Sequence, residues 1–222
     1  MNRRFLVGLA CCGAVGMLTA CSQSTLAGWQ TVAQAWRAPA APDLAEVPLH
    51  PALRYLRVRV GSKVGLMVQA GGVDGPWYGA DGVVLRLREG RLVGFADARR
   101  SWTEVRHSGW PDLQAPTPDD QPPRQGHLVA DLQPGHRYGL RQSHAWAHLP
   151  DAPPGHDWLG DTTGLRWMVA RPDEPGATAT ATWYAIDMQR QPAAVVYGRQ
   201  CLHLDPDPTT DPTCITWQRW PR

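Results

Sequence analysis

The stretch Leu53-Arg54-Tyr55-Leu56-Arg57-Val58-Arg59-Val60, then Gly61-Ser62-Lys63, then Val64-Gly65-Leu66-Met67-Val68-Gln69 decides the fold. Near the end of the first run Leu56, Val58 and Val60 fall to one side and Arg57 and Arg59 to the other. A period of two belongs to an extended strand with one apolar face, and the Gly-containing turn makes the pair a hairpin. The same pattern continues downstream. A Gly-rich turn over 71–75 leads to Trp77-Tyr78, and Asp81-Gly82 signals another turn. Residues 83–88 and 91–95 flank Glu89-Gly90 as a second hairpin, and 99–110 continue in strand style with Trp102 and Val105. Strand-like runs return at 127–132, 138–148, 164–170, 179–187, 193–204 and 215–220, separated by Gly, Pro and Asp clusters. The expected fold is all-β: an antiparallel sandwich or partly open barrel of many short strands. Residues 112–124, rich in Pro, Asp and Gln, read as a surface loop or inter-lobe linker, so the β domain over 53–222 admits two lobes split near 111–124.

Upstream of the strands the character changes. In residues 22–37, Trp29, Val32, Ala33 and Trp36 share one face at helical spacing, which predicts a short N-terminal helix. Pro39, Pro42, Pro48 and Pro51 then make an extended connector, so 21–52 reads as helix plus connector. Residues 1–20 read as a signal peptide: basic Arg3 and Arg4, an uncharged and mostly apolar stretch over 5–17, then Leu18-Thr19-Ala20-Cys21. That tetrad matches the lipobox of bacterial lipoproteins, with an aliphatic residue and two small ones before the cysteine that takes the lipid. The apolar stretch is too short, and too rich in Gly, Ala and Cys, for a permanent membrane span. Arg3-Arg4 is an incomplete twin-arginine pattern, which favours the general secretory route.

Composition narrows the function. The net charge of +2 is disperse, and nothing in it implies nucleic acid. Cys11 and Cys12 leave with the signal peptide and Cys21 takes lipid, so Cys201 and Cys214 remain as a pair. In an oxidising compartment such a pair is expected to form a disulfide, closing the loop 202–213 and contributing about 3 kcal/mol by the loop-entropy estimate. Tryptophan is in excess, at eleven residues. It suits β-sheet cores, and its flat ring also stacks on the apolar face of a pyranose. Trp77 and Tyr78, after the Gly-rich turn, and Trp217 and Trp220, near the C-terminus, are the candidate glycan or partner contacts.

Other chemistry is thinner. His144 and His148 share a face of one run, but His127, His136 and His156 join them at no recognised metal spacing, and no metal or other cofactor is expected beyond the covalent lipid. Asp205, Asp207 and Asp211 sit among prolines, without the glycine turn and distal Glu of an EF-hand calcium loop. Nucleophile and phosphate-loop motifs are missing. Of only four Glu residues, Glu104 is the best acid candidate. A glycan hydrolase or lyase would be favoured by a cleft holding Glu104 near Asp81 or Asp97.

Several segments together resemble a known family. They are the lipobox, Trp29-Gln30-Thr31-Val32 with Ala35-Trp36, Ala80-Asp81-Gly82-Val83-Val84, and Arg88-Glu89-Gly90-Arg91-Leu92-Val93. In order and spacing they resemble the YjbF/GfcB family of lipoproteins from exopolysaccharide and group 4 capsule gene clusters. The resemblance runs from Cys21 to about Val105 and is looser beyond, where Trp183-Tyr184-Ala185-Ile186-Asp187 and 195–199 look like closing strands. The Pro-rich segment 111–123 and the Cys201/Cys214 loop depart from it. The resemblance implies a non-enzymatic outer-membrane lipoprotein that faces the periplasm and assists polysaccharide secretion. Its partners would be the membrane through the lipid, an outer-membrane β-barrel or periplasmic export component, and the polysaccharide itself. Ser22 after the lipid cysteine, in place of Asp, is compatible with sorting to the outer membrane. A general envelope role unconnected with sugars is the remaining alternative.

Overall fold

Leu56 and Val58 point inward because the strand that carries them is one stave of a ring. The computed structural model describes Leu44 and residues 47–72, 74–115, 124–173, 181–202 and 213–220. Its strands are β1 (Tyr55–Val60), β2 (Lys63–Gln69), β3 (Trp77–Tyr78), β4 (Val84–Arg88), β5 (Arg91–Ala96) and β6 (Ser101–Ser108). They continue as β7 (Arg124–Gln133), β8 (Arg137–Leu149), β9 (Leu165–Pro172), β10 (Thr182–Asp187), β11 (Ala194–Leu202) and β12 (Thr213–Trp220). Each strand pairs antiparallel with its neighbour in sequence, and β1 closes on β12 with Val58 opposite Trp217 and Val60 opposite Ile215. The all-β expectation holds, and the strands form one closed barrel where the sequence suggested a sandwich or a partly open barrel. β6 and β7 pair directly across the Pro-rich segment, so strands from both halves of the chain share one ring.

A ring of twelve strands poses a filling problem. About eight strands enclose just enough room for side chains, while about sixteen leave a water channel. Two devices fill the space here. The first is side-chain size: Trp77, Trp102, Trp146, Trp217 and Tyr184 all lie in the main core cluster with Leu56, Val58, Leu85 and Leu128. The second is a crossing. The tip of the β4–β5 hairpin reaches the wall opposite, β11, six strands away around the ring. A Cβ on Gly90 would stand 2.3 Å from Val195 Cβ, and Gln200 Nε2 donates to Leu92 O at 3.4 Å. Gly90 also has φ +76°, so glycine is required there twice over.

The start of the segment read as a surface loop is drawn into this filling. Leu113 is buried in the core, Trp110 Nε1 donates to His127 O at 3.1 Å, and Trp146 Nε1 donates to Gly109 O at 3.4 Å. Arg91 Nη2 donates to Pro111 O. A wide barrel end needs apolar volume, and Trp110 and Leu113 supply it. Residues 116–123 lie outside the described residues, as do Cys21, the expected helix over 22–37, and Asp205, Asp207 and Asp211. The end of the connector packs outside the barrel, where Leu44, Val47, Leu49 and Leu53 meet Tyr55, Leu66 and Trp220. Cys201 and Cys214 stand opposite each other in the β11–β12 register and are joined by a disulfide.

Candidate functional site

The crossing hairpin leaves an opening in the wall. β5 and β6 pair only at Phe95–Trp102 and Ala96–Ser101, because the rest of β5 leans inward toward β11. Two bulges accompany the divergence, one in the β4–β5 ladder after Arg86 and one in β6 between Thr103 and Arg106. The β6 bulge holds Glu104 at φ 53°, an uncommon conformation for a side chain of that size. The seam between the two strands is a pocket of about 270 Å³ lined by Arg86, Arg88, Glu89, Arg91, Glu104, Arg106 and His107, with Val93 and Val105. Arg86, Arg88 and Arg106 are exposed and make no hydrogen bond or ion pair among the described residues. Arg91 is buried at the floor, 3.6 Å from a Glu89 carboxylate oxygen, and its buried Nε has no hydrogen-bond partner. Four arginines facing two glutamates give the seam a positive balance.

Behind the seam lies a polar patch that a barrel core does not ordinarily carry. Trp110 sits between His107 and His144, edge-on to the first at 5.0 Å between ring centroids and tilted against the second at 5.4 Å. Tyr184 OH donates to Gln200 Oε1 at 3.2 Å, and both residues are fully buried. The amide of Gln142 is buried with neither atom hydrogen-bonded. Burial, and then the nearby Arg91 charge, lowers His107 to about 3. Burial lowers His144 to about 4. Both rings are therefore neutral at pH 7, and the seam's positive charge comes from arginine alone. A consequence follows for stability. In the unfolded chain each imidazole takes a proton near 6.5, so below that pH the unfolded state binds more protons than the folded one. Stability present above pH 6.5 should drain away as pH falls toward 4 and then 3, at up to about 1.4 kcal/mol per pH unit for each proton. Urea melts at pH 7 and pH 5 should show the loss; equal midpoints would contradict it.

A third feature sits outside the barrel. The β8–β9 loop runs back over β11, β12 and β1 and is pinned by Asp157. Its carboxylate accepts from Arg59 Nε at 2.7 Å, Tyr197 OH at 3.0 Å, Arg57 Nη1 at 3.3 Å and Thr216 Oγ1 at 3.3 Å. Gln218 secures the next turn, donating to Leu159 O at 2.9 Å and accepting from Leu159 N at 3.2 Å. Burial alone would raise the Asp157 pKa. Hydrogen bonds from Arg59 and Tyr197 and the charges of Arg57 and Arg59 outweigh that and hold it below the usual carboxylate value.

The residues singled out from sequence land in different places. Trp77 and Trp217 are buried in the main core, and Trp220 is buried outside the barrel against the connector. Only Tyr78 of the four is half-buried, and no shared surface brings them together. The rings of Trp77, Trp217 and Trp220 are thus engaged in packing within the chain. His144 and His148 share a face of β8, with His144 against Trp110 and His148 edge-on to Trp146. Glu104 does line a cleft, with Glu89 as its carboxylate neighbour. Asp97 instead shapes the β5–β6 turn, accepting from Arg99 N at 2.8 Å, Arg100 N at 2.9 Å and Arg100 Nε at 3.2 Å. Asp81 falls in a short 3₁₀ turn, Ala80–Gly82. The sequence reading missed Arg86, Arg106 and Asp157; the outward alternation of Arg57 and Arg59 was the one local hint of the last.

Fold and seam together define the chain as an up-and-down antiparallel barrel whose wall parts at one seam. Among solved structures, that architecture is similar to the hypothetical lipoprotein YmcC from Escherichia coli (K12), with a TM-score of 0.51 and 14% identity over 88% of this chain and 91% of that one. No family model matches the sequence, and no curated protein matches it.

Proposed function

We propose that the chain is an envelope lipoprotein, held by lipid on Cys21 at the periplasmic face of the outer membrane, and that it is a non-enzymatic accessory factor in exopolysaccharide or capsule secretion. One observation carries this reading. A chain with its own lipobox folds like a protein described as a lipoprotein, along nearly the whole length of both. The order of family-like segments through residue 105 supports the narrower role in polysaccharide secretion. The mechanism is positional. Lipid supplies membrane residence, and since a single acyl chain anchors only marginally, more than one is needed. The barrel then meets an outer-membrane β-barrel or a periplasmic export component. Ring closure removes the free sheet edge between β1 and β12 that such a partner could have extended, which leaves the seam and the outer surface as the places for contact. Secreted polymer in a clean deletion strain tests the role: it should fall to background and return with the wild-type gene. Unchanged polymer under conditions of expression would contradict it.

A further inference from the structure

The seam has a composition that a packing defect does not explain. Three exposed arginines converge on it without partners, a fourth is buried at its floor with an unsatisfied Nε, and two glutamates face them across the same cleft. The glutamates are set there by the backbone. Glu89 is held at φ 51° by the hairpin turn and Glu104 at φ 53° by the bulge. The bulge at Glu104 is of the kind that re-aims a side chain beside a functional site. Guanidinium groups bind carboxylate or phosphate by paired hydrogen bonds, while a carboxylate accepts from hydroxyls. A bare anion would be repelled by Glu89 and Glu104. A polyhydroxylated ring bearing an anionic group satisfies both kinds of residue, and a pocket of about 270 Å³ has room for one or two such rings.

We propose that the seam between β5 and β6 binds an acidic saccharide, with its anionic group on Arg86, Arg91 and Arg106 and its hydroxyls on Glu89 and Glu104. The proposal rests on the polysaccharide reading above and names the class of polymer: one that carries uronate or phosphate.

The test uses the full lipidated chain in non-ionic detergent and isothermal titration with five probes: a galacturonate tetramer, a hyaluronan tetrasaccharide, glucose 1-phosphate, neutral maltotetraose and inorganic phosphate. At least one acidic probe should bind, with maltotetraose at least tenfold weaker. The uronate and phosphate arms separate the two sources of charge. The double variant Arg86→Gln/Arg106→Gln should weaken the acidic probe at least tenfold with an unchanged circular dichroism spectrum, and Arg86→Lys/Arg106→Lys should recover part of the loss. Failure of all three acidic probes, equal binding of maltotetraose, or wild-type affinity in the glutamine double variant would overturn the site. Inorganic phosphate binding as tightly as the best acidic sugar would overturn the saccharide assignment. The two readings fail separately. Polymer lost on deletion but fully restored by the glutamine double variant refutes the site and leaves the export role standing. Acid-specific binding in a protein whose deletion leaves polymer unchanged refutes the export role and leaves the site standing.

Discussion

Asp157→Ala should cost about 2–4 kcal/mol of folding stability, between the level of a surface ion pair and the loss of one partner of a fully buried one. The carboxylate is shared by donors on three strands: Arg57 and Arg59 on β1, Tyr197 on β11 and Thr216 on β12. Without it, Arg57, whose side chain is only 7% exposed, stays charged under the loop with only the backbone carbonyl of residue 157, 3.3 Å from its Nη1, as acceptor. The Tyr197 hydroxyl loses its acceptor at the same time, and the loop loses the tie that lays Trp158 against Tyr197. Asp157→Asn keeps the acceptor oxygen and should lose less. The pH dependence has a definite sign. Because the folded carboxyl titrates below its ordinary value, its contribution is complete above about pH 4 and is lost as pH falls through the lower folded value. Urea unfolding of wild type and both variants at pH 7 checks this, and a loss below about 1 kcal/mol, the level of a surface ion pair, would show that the loop is held by something else.

Trp217→Ala should be of similar size, about 3–5 kcal/mol, as for other large-to-small changes of buried aromatics. The indole lies across Gly198 on the neighbouring strand so closely that a Cβ there would stand 2.2 Å from the Trp217 ring, and it makes a T-shaped contact with Tyr184 at 6.2 Å between centroids. Removing it opens a hole at the β11–β12 wall, where the barrel is too wide for its neighbours to close. A shift in the thermal midpoint is the readout. A variant with wild-type stability would contradict this packing role.

Much of the architecture is local enough to read. Leu56 and Val58 alternate with Arg57 and Arg59, and Glu89-Gly90 marks a hairpin, because side-chain direction in a strand and positive φ in a tight turn are short-range effects. Ring closure is different. It rests on Val58 facing Trp217 from the far end of the chain, and strand patterning looks the same in a sandwich, an open barrel and a closed one. The tryptophans were ambiguous for a related reason: a ring that stacks on sugar and a ring that fills a wide barrel need the same residue. Leu113 looked like part of a polar loop because its neighbours are Pro, Asp and Gln, yet one apolar side chain suffices to draw that end into the core. The seam and the Asp157 tie had no local mark. Arg86 and Arg106 are brought together only because the β4–β5 tip crosses the interior, and Asp157 finds Arg57 a hundred residues earlier.

The most direct test of the account is secreted polysaccharide in the deletion strain carrying Cys21→Ala behind a signal peptide that is cleaved without lipidation. The barrel should fold and be released into the soluble periplasm, with polymer no higher than in the deletion itself. Polymer restored to the wild-type level by that unanchored protein would contradict it.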